Sequence, residues 1–224
     1  MPESSNSSTD TTSTTSKAAS RLVTLPPWKP GTLTGGYAAI RWMTRWLRQP
    51  NGPRAGQPFE PTRGQALFLL WWYAVDEDGR WLFNHAARRQ SKGAGKSPFA
   101  AALAMLEFAG DCRLVDFDPA LPGGVKFGPV DMPLVQIAAT AESQTSNTMR
   151  MIRAFAPKGS EVVQEFQMDP GKTIYYRVPE GKLEVLTSSF TAVEGAESSF
   201  VVADETEHWK PSNAGPEFMG TLQD

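Results

Sequence analysis

Hydrophobic positions recur along this chain at two spacings, and each predicts a different kind of element. Between residues 37 and 47 the spacing is helical: Ile40, Met43, Trp46 and Leu47 share one face, and Arg41, Arg45 and Arg48 line another. Residues 65–75 are apolar nearly all round, which predicts a buried helix closed by the turn Asp76-Glu77-Asp78-Gly79. A strand over 81–87 and an alanine- and leucine-rich helix over 99–109 follow, joined by a glycine-bearing turn. Residues 133–139 are a run of the buried-strand type, and 146–155 return to helical spacing with Met149, Ile152 and Phe155 inward. Two β-like runs, 173–178 and 182–188, flank Pro179-Glu180-Gly181 and predict a hairpin. A short loop at 193–196 leads to a last apolar run that opens at Ser199 and ends in Asp204-Glu205, and 210–224 read as loop or weak helix. Pro and Gly mark 51–63 as a linker, and Pro119 with Pro122-Gly123-Gly124 marks a loop after the 99–109 helix. The order strand, turn, helix, strand, helix, strands predicts an α/β fold: a three-layer sandwich around a largely parallel sheet.

The first 20 residues change this picture only by subtraction. They are rich in Ser and Thr, carry almost no apolar side chains, and are expected to be a disordered tail. The chain then divides into a helical segment and linker over 21–64 and a core over 65–224. With 224 residues, 40% hydrophobic and 21% charged, it can bury a sizeable core of ordinary globular composition. A formal net charge of −2 singles out no partner, although a near-neutral total can hide a basic face. Cys112 is the only cysteine, which excludes an intrachain disulfide and fits a reducing compartment. No secretory leader opens the chain and its longest apolar run, 66–75, is far too short to span a bilayer, so a cytosolic protein without a membrane is expected. No Cys/His metal spacing occurs, and His85 and His208 read as structural.

The candidate chemistry sits in the turn Arg88-Arg89-Gln90-Ser91-Lys92-Gly93-Ala94-Gly95-Lys96-Ser97. A glycine-rich turn between strand and helix is the layout of a P-loop, in which successive backbone N–H groups converge on an anion at the positive end of the helix. Gly93 and Gly95 let the backbone approach phosphate oxygens, Lys96 would reach the β- and γ-phosphates, and the Ser97 hydroxyl would be a Mg²⁺ ligand. Pro98 in the first helical turn costs little. The first glycine of the pattern G-x-x-x-x-G-K-[ST] is replaced by Gln90.

The run Ser199-Phe200-Val201-Val202-Ala203-Asp204-Glu205-Thr206-Glu207 reads as a Walker B element, although taken alone it reads first as a buried strand before a solvated acidic turn. At the carboxyl edge of a parallel sheet Asp204 would hold Mg²⁺ with Ser97, and Glu205 would polarise the attacking water. Both elements in this order point to an ATP or GTP site. Gln65, the one amide at the start of the apolar helix, could read an adenine edge with Phe59 for stacking, or be a plain helix-start residue. The stripe Arg41, Arg45, Arg48 could touch a phosphate backbone or be a solvated face, and Arg150 or Arg153 could act as an arginine finger or as solvated surface.

These two runs, the Gln-led helix and Ala138-Ala139-Thr140-Ala141-Glu142-Ser143-Gln144 after the second strand resemble the N-terminal ATPase domain of the tailed-bacteriophage terminase large subunit, over roughly residues 59–209. Terminases often open this loop on a basic residue and lack its first glycine, as here. The resemblance implies a P-loop NTPase sandwich of the additional-strand, catalytic-glutamate type, ATP and Mg²⁺ as ligands, and a motor that packages double-stranded viral DNA into procapsids. By position, Lys96 and Ser97 match the phosphate and Mg²⁺ residues, with Gly93, Ala94 and Gly95 in the loop. Asp204 and Glu205 match the Walker B pair, Gln65 the adenine-reading glutamine, and Arg88 or Arg89 the basic residue that leads the loop. The implied partners are duplex DNA, a portal protein, a small terminase subunit and further copies in a ring, in the host cytoplasm and transiently on the procapsid.

Family members continue with a coupling motif, a last strand and a metal-dependent nuclease domain, none of which is visible before residue 224. The expectation is therefore a fold incomplete at its C-terminus, an N-terminal fragment that hydrolyses ATP weakly and does not cut DNA. Two other readings stand beside the motor: a helicase-like P-loop ATPase, and a module that binds nucleotide or DNA without catalysis.

Overall fold

The helix expected over 99–109 starts earlier, at Lys96, and its buried positions leave no face for solvent: Phe99 and every residue from Ala101 to Ala109 are buried. A computed structural model of the protein describes residues 27–91, 93–139, 142–187, 197–213, 215, 216 and 220. The expected tail over 1–20, the 193–196 loop and most of the chain after 213 lie outside the described residues. In chain order the elements are α1 (Gly36–Trp46), α2 (Arg63–Trp72), α3 (Lys96–Ala109), β1 (Arg113–Phe117), β2 (Val125–Gly128), β3 (Leu134–Ala139) and α4 (Glu142–Phe155). α5 (Glu161–Glu165), β4 (Met168–Pro170), β5 (Ile174–Arg177), β6 (Gly181–Thr187) and β7 (Phe200–Ala203) complete them.

Five strands form one mixed sheet in the order β4-β5-β6-β3-β7. β3 pairs in parallel with both β6 and β7, so Ala138 lies opposite Leu186 on one side and Ala203 on the other. β4, β5 and β6 are antiparallel neighbours. The expected hairpin across Pro179-Glu180-Gly181 is therefore present. The sheet as a whole is half parallel and half antiparallel by pairing, where a largely parallel one was expected, because hairpin connections are too short for a parallel crossover.

One apolar cluster joins the helices to this sheet. Met43 of α1 and Leu47 just past it, Leu69 and Tyr73 at α2, Met105 and Leu106 of α3, Ile137 of β3 and Met149 and Ile152 of α4 all belong to it. Gly36 allows α1 to start against the backbone of α2, since a Cβ there would meet Leu70 Cα at 2.6 Å and Leu69 O at 2.7 Å.

Three local expectations are corrected. Residues 81–87 form no strand; Trp81 makes a single bridge to Val75, and the Leu82 N–H donates to Ala74 O at 3.0 Å. The chain turns back at Asp76, whose Oδ1 accepts the Asp78 and Arg80 N–H groups, and Trp81 packs its ring edge-on against Tyr73 and Phe127 instead of entering the sheet. The presumed loop after α3 contains the β1–β2 hairpin, in which Leu114 pairs with Phe127 and the register shifts between Leu114 and Asp116. The apolar helix ends at Trp72, and Ala74 and Val75 make bridges to Thr34 and Trp81. Among the described residues no helix is long and apolar enough to cross a membrane.

α3 carries one buried charge, Glu107, only 1% exposed. The Tyr73 hydroxyl donates to its Oε1 at 2.6 Å and Arg113 NH1 to its Oε2 at 2.7 Å. Burial pushes the Glu107 carboxyl above its ordinary value, opposed by Arg113 and Tyr73, and burial also raises the Tyr73 hydroxyl. Arg113 NH2 continues to the Ser199 carbonyl at 2.8 Å, so the network reaches the residue before β7. Glu107→Ala would strand Arg113 and the Tyr73 hydroxyl; a loss of about 3 kcal/mol in unfolding free energy is expected, read from urea denaturation.

Candidate functional site

The amino end of α3 is shaped by two glycines in the left-handed region, Gly93 at φ 83° and Gly95, the N-cap, at φ 80°. Only glycine adopts this conformation without strain, and the Gly95 turn brings Lys96 and Ser97 into the first helical turn. No side chain caps this end. Its N–H groups, together with the helix dipole and the Lys96 ammonium, present positive charge to an anion.

Arg88 lies alongside. Its guanidinium sits 4.6 Å from the Phe99 ring centre and 6.0 Å from that of Phe68, and burial lowers its basicity. Arg88 NH1 and Gln90 Oε1 are buried without a hydrogen-bond partner, which a polar ligand at this loop would supply. Arg89, Gly93 and Ala94 are exposed.

Facing elements come from the carboxyl ends of the parallel strands. The Asp204 N–H, immediately after β7, donates to Ala138 O at 2.9 Å, extending the ladder by one bond. Asp204 Oδ2 accepts the Thr148 hydroxyl at 2.6 Å, and its carbonyl accepts the Trp209 indole N–H at 3.2 Å. Glu205 takes φ 51°, a left-handed conformation in a non-glycine residue, and opens a 3-10 turn over Thr206–His208. Such strain concentrates where surrounding structure imposes it, often at functional sites. That turn carries Glu207 back toward α3: the Lys96 ammonium lies 3.7 Å from Glu207 Oε1. Glu207's own backbone N–H, then Lys96, hold its carboxyl below the ordinary value.

The lysine that opens α3 thus meets the acidic segment that closes β7, and the contact runs through Glu207. Asp204 is held by α4, β3 and Trp209. Gln65 sits elsewhere in role: its Oε1 accepts the Thr62 N–H at 2.8 Å and its own N–H donates to Thr62 Oγ1 at 3.4 Å, a capping box that starts α2. Phe59 is 2% exposed and packs edge-on against Phe155, so it offers no face for stacking.

The arginine stripe is partly spent within the chain. Arg45 forks onto Glu161 at 2.5 and 3.2 Å, and Arg48 NH1 donates to the carbonyls of Arg45 and Leu47. Arg153 NH1 donates to Lys172 O at 2.7 Å, while Arg150 is exposed.

Sequence reasoning did not single out Thr148, yet a signal existed. Thr145 and Thr148 fall on the inward face of α4 with Met149 and Ile152, and both are at most 1% exposed. Polar groups on an apolar stripe require partners.

A glycine-turned helix end thus lies beside the carboxyl edge of parallel strands in an α/β protein, an arrangement suited to an anion. No family model matches the chain. The Gene 13 proteins of Mycobacterium phages D29 and L5 are 31% identical over 196 residues and 30% identical over 194. Each match takes in 79% of this chain and 32% of the relative, so the chain spans about a third of the length of these relatives. The crystal structure of the HK97 bacteriophage large terminase superposes with a TM-score of 0.51 at 16% identity, over 70% of this chain and 28% of that one. The resemblance read from the motifs is thereby borne out: this chain is similar to a bacteriophage large terminase in fold over the matched part.

Thr62→Ala removes one half of the capping box and leaves the Gln65 backbone N–H without its acceptor. A loss of about 1 kcal/mol is expected, read as a lower thermal midpoint.

Proposed function

We propose that this chain is the ATP-hydrolysing motor domain of a phage terminase large subunit, acting on double-stranded viral DNA during its packaging into procapsids. The observation that carries the reading is the approach of Lys96, at the amino end of α3, to the acidic segment after β7. The likeness in fold to the HK97 large terminase supports it.

The residues fit ATP with Mg²⁺. The uncapped end of α3 and the unpartnered Arg88 NH1 suit phosphate oxygens, and one carboxylate with one hydroxyl suits a cation that takes its other ligands from phosphates and water. Bound Mg²⁺ supplies charge neutralisation on the phosphates. Gly93, Ala94, Gly95, Lys96 and Ser97 would hold the phosphates, with Arg88 and Arg89 at the mouth of the loop. Asp204 and Ser97 would hold the cation. Lys96 would exchange Glu207 for a phosphate oxygen, and Glu205 would orient the attacking water, the role that defines the catalytic-glutamate class. Gln65 is the candidate adenine reader, with its NH₂ and the second lone pair of Oε1.

For the full-length protein the reading extends to a ring of copies on a portal protein, a small terminase subunit that delivers DNA, and work in the host cytoplasm. These partners follow from the proposed class of motor.

The test is ATP turnover by the purified chain. Lys96→Ala and Glu205→Gln are each expected to lower the Mg²⁺-dependent rate by roughly 100-fold. Equal background rates in the parent and both variants would instead favour a binding module without catalysis.

A further inference from the structure

Asp204 is more constrained than its position one residue past the end of β7 requires. Its N–H is used by Ala138, its carbonyl by Trp209, and one carboxylate oxygen, Oδ2, by Thr148. The Thr148 side chain is fully buried on α4, the helix that follows β3. A threonine within a helix commonly turns its hydroxyl back to the carbonyl four residues earlier. Here it leaves its own helix and spends its one proton on Asp204, at 2.6 Å, the length of a charge-assisted bond. α4 packs against both α3 and β3, so the donor is fixed by the same elements that frame the site.

A carboxylate at the end of a strand rotates freely about its last bond unless one oxygen is held. With Oδ2 occupied, rotation is suppressed and Oδ1 is the oxygen left for a cation. Outer partners of this kind orient a metal-binding carboxylate, and their loss typically costs 10- to 100-fold in metal affinity. We infer that Thr148 is a positioning residue that locks the Asp204 carboxylate for a divalent cation. This rests on the reading of Asp204 as a Mg²⁺ ligand given above, and adds to it an element, α4, that neither motif contains.

The alternative is that the bond only fastens α4 to the sheet, and the two differ in what they do to metal dependence. The fluorescent analogue mant-ATP, titrated onto the chain at a series of Mg²⁺ concentrations and also in EDTA, separates them. Thr148→Val keeps the shape and removes the hydroxyl; it is expected to raise the half-saturating Mg²⁺ concentration by about 10-fold and leave metal-free mant-ATP affinity unchanged. Thr148→Ser keeps a hydroxyl and is expected to return the Mg²⁺ requirement to within about 3-fold of the parent. Thr148→Ala, which also lacks the donor, repeats the measurement should the valine protein fail to fold. An unchanged Mg²⁺ requirement in Thr148→Val or Thr148→Ala overturns the inference alone, as does an equal loss in Thr148→Ser. No mant-ATP binding by the parent chain overturns the nucleotide reading, and this inference with it.

Discussion

A helix buried on every side can offer only its ends, and α3 is such a helix. Its two ends are tied to the two ends of β7. At the carboxyl end of the helix, Glu107 holds Arg113, and Arg113 reaches the carbonyl of Ser199 just before β7. At the amino end, Lys96 lies against Glu207, in the turn that follows β7. Helix and strand therefore run in opposite directions and are clamped at both ends, one clamp buried and one partly exposed. The buried clamp is the stiffer of the two, because leaving Glu107 unpaired in an apolar surround is costly. The exposed clamp is a long contact between partly solvated groups, worth little as a source of stability and easily exchanged for another anion. That asymmetry gives the site its character: the framework is held by a pair that cannot be given up, and the reactive end by one that can.

The sheet adds the second constraint. β3 is flanked on both sides by parallel neighbours, so the carboxyl ends of β6, β3 and β7 fall at one edge. The acidic part of the candidate site gathers there: Asp204 one residue past β7, Glu205 in its strained turn, and α4 following β3 with Thr148 on its inner face. The antiparallel strands β4 and β5 extend the sheet away from this edge and contribute Tyr175, whose hydroxyl donates to Ala156 O, one residue past α4. Their part is to hold α4 in place. Tyr175 is pushed up to about 12 by burial, as befits a hydroxyl that acts only as a structural donor.

Elements with a strong period were legible before the fold was known. The stripe Ile40, Met43, Trp46 and Leu47 predicted α1, the run over 65–75 predicted α2, and Met149, Ile152 and Phe155 predicted the inner face of α4; Met43, Leu47, Leu69, Trp71 and the three α4 side chains are buried, while Ile40, Trp46, Phe68, Leu70 and Trp72 are half-buried. The strand β7 and its terminal acidic pair were legible for the same reason, a continuous apolar run with an abrupt polar stop. The 81–87 segment failed the same reasoning because an apolar residue such as Trp81 can be buried by ring packing as well as by a sheet, and here Tyr73 and Phe127 take it. The β1–β2 hairpin was hidden because Pro122-Gly123-Gly124 announce a turn without announcing the strands on either side.

What the amino-acid order determined by itself was the local chemistry: a left-handed glycine turn before lysine and serine, a helix too apolar to be anything but buried, and two carboxylates at the end of a strand. These depend on backbone sterics and on solvent, which act over a few residues. Only the tertiary structure decided which distant groups meet. That Lys96 faces Glu207, that Asp204 is gripped by Thr148, and that Gln65 is drawn into a capping box with Thr62 all follow from how α3, α4 and β7 pack. The physical reason is range: a hydrogen bond or ion pair is set by a few ångströms in space, and separation along the chain carries no information about it until the core has closed.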